Sequence, residues 1–101
     1  MSVEKRWNEL KNQFLQEKEV QKQGESLKIN KKMFAMLNKG NFVLKLPKER
    51  VSELKKSRIG IDWLAGDKIM KEWIIIPLEY SSKWEELTEE AKQFAKSLSK
   101  K

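Results

Sequence analysis

The sequence contains no cysteine and no histidine, and these two absences exclude several classes of site. Without cysteine the chain can form no disulfide, no thiolate nucleophile and no cysteine-based metal site. Without histidine it lacks the usual zinc ligand, the usual general base near neutral pH and every Ser-His arrangement. We therefore expect no metal and no cofactor.

Long hydrophobic runs are also missing. The longest, Trp73 to Leu78, contains Pro77 and is far shorter than the roughly 20 residues that a membrane span needs. The first ten residues are charged almost at once and contain no apolar signal core. We therefore expect a cytoplasmic protein without a membrane partner.

The charge that is present is unevenly distributed. A chain of 101 residues is the size of one domain, expected here to span residues 1–101, and its net charge is +7. Between Lys28 and Arg58 the only acids are Glu49 and Glu53. Farther on, no base opposes the run of Glu85, Glu86, Glu89 and Glu90. This pattern predicts a bipolar molecule, with a basic hairpin-and-helix side and an acidic helix.

The segment Met33–Pro47 is typical of a β-hairpin and is expected to supply the middle of a small sheet. Apolar residues recur at every second position in both arms. Gly40 can adopt the left-handed conformation that a tight connection requires. Because Lys45 occupies the other face, we expect the buried face of the second arm to be formed by Phe42, Leu44 and Leu46.

Three segments have the apolar spacing of helices. The first runs from Val3 to about Gln23, with Gly24 as its C-terminal cap. A short second helix with a basic outer face follows the proline over Lys48–Ser57. The third opens with a capping box, Ser82 to Glu85, and its apolar stripe is formed by Trp84, Leu87, Ala91, Phe94, Ala95 and Leu98.

Two further segments are predicted to be strands, Ser26–Asn30 and Lys68–Ile76. The residues between Gly60 and Gly66 are interpreted as a loop that buries Trp63 and Leu64. Trp7, Trp73 and Trp84 are all expected in the core. The predicted order is α-β-β-β-α-β-α, an α+β domain with a small antiparallel sheet and helices packed on one face.

Three short motifs in order carry a family resemblance: FAML at residues 34–37, VLKLP at residues 43–47 and MKEW at residues 70–73. Together they resemble the TfoX N-terminal (Sxy-like) domain family, which is related to the MmcQ/YjbR-like proteins. The resemblance covers roughly Lys31 to Pro77, and Arg58 stands where that family usually has a glycine. It implies a compact α+β domain that acts as a regulatory or DNA-binding-like module, with no catalytic residues to carry over.

The basic side suggests nucleic-acid binding. Lysine and arginine would contact phosphates and give a salt-sensitive, largely sequence-independent affinity. The candidate residues are Lys45, Lys48, Arg50, Lys55, Lys56 and Arg58, with Lys31, Lys32 and Lys39 in two turns. The aromatic residues in this stretch, Phe34 and Phe42, belong to the hairpin, so we expect no stacking platform. The alternative is an ordinary solvated basic face.

A second hypothesis is a protein-interaction module that uses the acidic helix, or Ser26–Asn30 as an edge strand. A third is an enzyme, in which burial would shift the pKa of a charged residue enough for acid-base work. Its constellation would be Lys45, Arg50, Asp62, Lys71 and Glu72. The simpler interpretation of those residues is a structural ion pair of Glu72 with Lys71, Lys45 or Arg50.

The interpretation that fits best is a monomeric binding or regulatory module, not an enzyme. It would contact nucleic acid non-specifically through the basic hairpin-and-helix face. The alternative is a protein-protein adaptor with no nucleic-acid role.

Overall fold

The computed structural model describes residues 2–98. Within this range the chain forms three α-helices and six strands, with a 3-10 helix, Leu78–Lys83, directly before the last α-helix. The helices are α1 (Val3–Phe14), α2 (Lys48–Lys56) and α3 (Trp84–Leu98). The strands are β1 (Val20–Gln23), β2 (Ser26–Ile29), β3 (Lys32–Asn38), β4 (Asn41–Lys45), β5 (Ile61–Ala65) and β6 (Lys68–Ile75).

The six strands form one antiparallel sheet in the order β1-β2-β3-β4-β6-β5. The predicted hairpin is confirmed as β3 and β4, and it occupies the centre of the sheet. Its turn has two residues with positive φ, Lys39 at 50° and Gly40 at 80°, as expected for a two-residue connection that follows the twist of the strands.

The three helices pack on one face of the sheet, which confirms the predicted α+β architecture. Phe42, on β4, lies between two buried indoles: its ring centroid is 5.8 Å from that of Trp7 and 4.0 Å from that of Trp84. The rest of this core comes from the predicted stripes, including Leu10, Phe14, Leu44, Leu46, Val51, Leu54, Leu87, Ala91 and Ala95. None of the helices within residues 2–98 combines the length and the apolar character needed to cross a membrane.

The prediction that the first helix continues to Gln23 is wrong. α1 ends at Phe14, the last residue of its buried stripe, and Val20–Gln23 forms the edge strand β1. Gly24, with φ at +58°, lies in the turn that returns the chain into β2. A helix continued past Phe14 would have had an almost entirely polar surface, whereas pairing with β2 buries Val20.

The predicted loop between Gly60 and Gly66 is also a strand. Gly66 has φ at +67°, and with Asp67 it makes a two-residue turn that pairs β5 with β6. As a result Leu64 is not buried: it is 52% exposed. β5 is the second edge of the sheet.

The predicted capping box does not begin a helix. Ser82 lies inside the 3-10 helix Leu78–Lys83, which starts after Pro77 and leads directly into α3. The fixed φ of proline favours a helical start at that earlier point. The buried stripe of α3 otherwise agrees with the prediction, except that Phe94 is partly exposed and Leu98 is 39% exposed.

Arg58 closes the C-terminus of α2 in a left-handed conformation, with φ at +62°. The Ile59 N–H donates to the Leu54 carbonyl oxygen at 2.9 Å, and the Arg58 N–H donates to that of Lys55 at 3.0 Å. These two bonds form a Schellman motif, in which this position favours glycine. The left-handed conformation at this position therefore explains why a glycine would be favoured where this chain has Arg58.

Candidate nucleic-acid interface

The predicted basic residues fall into two groups, and Arg50 belongs to the group that is already paired. Its guanidinium makes a two-pronged contact with Glu90 of α3, with Nε to Oε1 at 2.8 Å and Nη2 to Oε2 at 3.1 Å. It also donates to Glu53 at 3.1 Å. The hydrogen bonds to Glu90, and then to Glu53, outweigh the cost of burial and raise the pKa of Arg50 above its usual value. Its charge is therefore largely matched within the fold.

Two more of the predicted residues have carboxylate partners. Lys55 Nζ lies 2.7 Å from Asp62 Oδ1. Lys45 Nζ lies 3.9 Å from Glu72 Oε1 and 5.3 Å from the centre of the Trp73 ring. Lys55 is thus firmly paired, whereas Lys45 has a longer contact that it can give up more easily.

The second group consists of the cations on α2, just after α2 and on β6 that have no ion pair with any residue between 2 and 98. Of the predicted residues it contains Lys48, Lys56 and Arg58, and the structure adds Lys68 and Lys71 of β6. All five are exposed. The three turn residues Lys31, Lys32 and Lys39 are exposed as well and lie at the two ends of β3.

Two adjoining grooves collect these lysines. The α2 groove lies between α2 and β6 and has a volume of about 660 Å³. Val51 and Ile69 form its apolar part. The other residues that line it are Lys48, Glu49, Ser52, Glu53, Lys55, Lys56 and Lys71. The β6 groove, about 460 Å³, is lined by Lys45, Lys48, Lys68, Ile69, Met70, Lys71, Glu72 and Trp73. Lys48, Ile69 and Lys71 belong to both. The two grooves together carry six lysines and three glutamates.

Lys68 and Lys71 were not predicted to be part of this surface. The predicted basic region stopped at Arg58, and β6 returns to the same side of the molecule only because it pairs with β4. Lys68 and Lys71 are three positions apart, with Ile69 and Met70 between them. This spacing does not follow the period of two of a strand, so no local pattern predicted that both lysines would join the basic side.

Of the three partners predicted for Glu72, the structure shows Lys45, at 3.9 Å, and among residues 2–98 it shows no ion pair of Glu72 with Lys71 or Arg50; 46% of the Glu72 side chain is exposed. Of the predicted acid-base constellation, Lys45, Lys71 and Glu72 line the β6 groove together, whereas Arg50 and Asp62 do not. Arg50 is directed to Glu90 on α3, and Asp62 is directed to Lys55 on α2. These charges stabilise separate contacts between elements.

The open face of the sheet, opposite the helices, carries two tryptophans. Register partners across five strands form one row there, which is polar at Ser26 and apolar at Met36, Val43, Ile75 and Ile61. The rings of Trp63 and Trp73 lie 5.6 Å apart at a tilt of 58°. The Trp63 N–H donates to Asn38 Oδ1 at 3.4 Å, so this indole reaches over the face. Trp73 was expected in the core but is partly exposed, because the core lies on the other face.

Two of the four glutamates in the acidic run of α3 are opposed by bases. Glu90 pairs with Arg50, and Glu89 pairs with Lys92 at 3.0 Å. Lys92 is only 6% exposed and also contacts Glu17. Burial alone would lower the pKa of Lys92, but its hydrogen bonds to Glu17 and Glu89 outweigh that effect and raise it. Ser26–Ile29, the other predicted interaction element, is not an edge strand, since it lies between β1 and β3.

Comparisons with protein-family models, with curated proteins and with solved structures returned no match. In the part of the chain that the structure describes, no three acidic, histidine or cysteine residues are grouped so that they could hold a metal ion.

Proposed function

We propose that this chain is a small binding or regulatory module, of the TfoX N-terminal type, that binds nucleic acid non-specifically in the α2 and β6 grooves. The observation that carries the proposal is that Lys48 and Lys71 line both grooves and that Lys68 lines the β6 groove beside them. None of the three has an ion pair with a residue in the range 2–98, although Glu49 and Glu72 line the same grooves. Such a concentration of cations attracts a polyanion.

The position of Lys48 supports a role in binding. It is the first residue of α2, where the positive end of the helix macrodipole disfavours a cation. A lysine there does not stabilise the helix, but it adds to the field that an incoming phosphate meets. Lysine ammonium groups act as point charges on flexible stems, so they hold phosphates without reading base edges.

The dispersal of the charged constellation supports a binding module over an enzyme. Arg50 and Asp62 are held in ion pairs with Glu90 and Lys55, so only Lys45, Lys71 and Glu72 of that constellation line one groove. The proposal is for a module that acts as a monomer. It includes a cytoplasmic location, where nucleic acid is an abundant polyanion.

The proposal is tested by fluorescence anisotropy with a labelled mixed-sequence duplex and a labelled single strand at ~50 and ~200 mM salt. We expect binding that weakens steeply with salt. The double variant Lys48→Glu with Lys71→Glu should bind at least about tenfold more weakly and show a shallower salt slope, because two phosphate contacts are lost.

A matched control is Lys5→Glu with Lys18→Glu, which makes the same change in net charge at two exposed lysines that line neither groove. It should weaken binding much less. If the wild-type protein does not bind at ~50 mM salt, or if the two double variants lose affinity equally, the grooves are not the binding surface.

One observation favours a second candidate function, that of a protein-protein adaptor. The edge hairpin of β5 and β6 exposes three large apolar side chains, Ile61 (55%), Leu64 (52%) and Ile69 (50%). An exposed apolar edge can accept a strand from a partner protein. Leu64→Gln separates the two functions, since Leu64 lines neither groove and the substitution keeps the net charge: it should weaken binding of a partner protein and leave oligonucleotide affinity unchanged.

A further inference from the structure

The β6 groove contains an aromatic ring among its lysines. Trp73 is partly exposed and lines the groove with Lys45, Lys48, Lys68 and Lys71. Lys45 is its register partner on β4, and the neighbouring bond from the Leu46 N–H to the Glu72 carbonyl oxygen, 3.0 Å, holds β6 against β4. The ring is therefore presented from a hydrogen-bonded strand.

We infer that the β6 groove holds an unpaired base of a single-stranded nucleic acid, with Trp73 as the ring on which the base stacks. This inference rests on the proposed function. It further specifies that the nucleic acid is single-stranded and that Trp73 is the residue that selects a single strand. Stacking on an aromatic side chain suits any base, because every base has a π face. A base within a duplex has both faces covered by its neighbours, so only a single strand offers the contact.

The surroundings of Trp73 favour this ligand over a simple anion. Its contact with Trp63 is tilted by 58°, so the two indoles do not stack on each other. Lys45 lies over the ring at 5.3 Å and its carboxylate contact is as long as 3.9 Å, so its ammonium can move to a phosphate beside a stacked base. Polyphosphate or an acidic peptide would use the lysines alone and gain nothing from the ring.

The basic stretch of the sequence predicted no stacking platform, because its aromatic residues lie in the hairpin, with Phe42 in the core. The ring in the groove comes instead from Trp73, 15 residues beyond Arg58. Pairing of β6 with β4 brings it beside Lys45. The inference thus depends on a juxtaposition that only the fold creates.

The test compares two single-stranded ligands of equal charge at ~50 mM salt: a labelled 12-mer of deoxythymidine and a labelled abasic 12-mer with the same phosphates. We expect wild type to bind the thymidine 12-mer at least about fivefold more tightly, since stacking favours it. Trp73→Leu should remove that preference, whereas Trp73→Phe, which retains an aromatic ring, should keep most of it. Thermal melts confirm that each variant is folded.

A second measurement needs no variant. Trp7 and Trp84 are 0% exposed, so an oligonucleotide can quench only the tryptophans of the open face. We expect the thymidine 12-mer to quench wild-type fluorescence and the abasic 12-mer to quench it much less.

The failures are distinguishable. Equal affinity for the two 12-mers, with binding still lost in Lys48→Glu with Lys71→Glu, would overturn the stacking role and leave the proposed function standing. Equal quenching by the two ligands would also overturn it. If neither ligand binds, the proposed function is wrong and this inference falls with it.

Discussion

At the scale of single residues, the clearest tension is the left-handed conformation of Arg58 at the end of α2. A residue with a Cβ is strained there by about 1–2 kcal/mol, and glycine is not, although glycine has more freedom to lose on folding. We predict that Arg58→Gly increases the free energy of unfolding by about 0.5–1 kcal/mol, which a thermal melt would detect as a higher Tm.

The control for that prediction is Lys56→Gly, at the last residue of α2. There the same glycine enters a right-handed helical position and should lower Tm. A lower Tm for Arg58→Gly would mean that the arginine makes a stabilising contact that outweighs the backbone strain.

Individual charges show how far the sequence can be interpreted. Six candidate cations were predicted from one basic stretch, and all six are near or at the surface. The sequence could not separate Arg50 and Lys55, which have close carboxylate partners, from Lys48 and Lys56, which have none within the described range. Glu90 is 40 residues away from Arg50, and no local pattern predicts contact over that distance.

At the scale of elements, the contact between Arg50 and Glu90 joins α2 to α3. Both side chains are about two-fifths exposed, 36% and 42%, so solvent screening reduces their interaction, while the two-pronged geometry strengthens it. We predict a coupling free energy of about 0.5–1 kcal/mol in a double-mutant cycle of Arg50→Ala and Glu90→Ala.

The comparison for this cycle is the pair of Arg50 with Glu53, within a single helix turn, which should couple more weakly. Because Arg50 is held by α3, Arg50→Gln should change oligonucleotide affinity much less than Lys48→Gln. Equal losses in the two variants would place Arg50 in the binding surface after all.

At the scale of the whole molecule, stability should depend on pH at both extremes and little between them, since the chain has no histidine. Hydrogen bonds from Lys11 and then Trp7 lower the pKa of Glu25. Burial opposes the shift at Glu89, but bonds from Gln93 and Lys92 still lower its pKa. A carboxyl group whose pKa is lower in the folded state stabilises the fold when the pH is above the ordinary pKa of that group. This stabilisation disappears as the pH falls through the lowered pKa.

We therefore predict that Tm is nearly constant from about pH 5.5 to 9 and falls below about pH 4.5. Glu25→Gln should have a lower Tm at pH 7 and a shallower acid decline, because it has no such proton to gain. Lys92 should produce a decline at alkaline pH. Because its pKa is raised in the folded state, its ion pairs stabilise the fold fully below the ordinary pKa of lysine, and this stabilisation is lost as the pH rises through the raised pKa. An acid decline of equal steepness in wild type and Glu25→Gln would contradict the assignment.

The sequence by itself determined the parts of this protein that depend on local periodicity. The period-two pattern and Gly40 define the β3–β4 hairpin, and the helical spacing of apolar residues defines which faces of α1, α2 and α3 are buried. In each case one segment carries its own signal, since side chains two or four positions apart share a face of a strand or helix.

Only the tertiary structure decided the edges of the sheet and the composition of the grooves. β1 and β5 carry weak signals of their own, and each becomes a strand because a glycine turn places it beside a neighbour that lacks a partner on that side. Likewise, Lys71 and Trp73 join Lys48 because β6 pairs with β4 and α2 packs beside it. Residues distant in sequence meet through packing and strand register, and a local pattern does not contain that information.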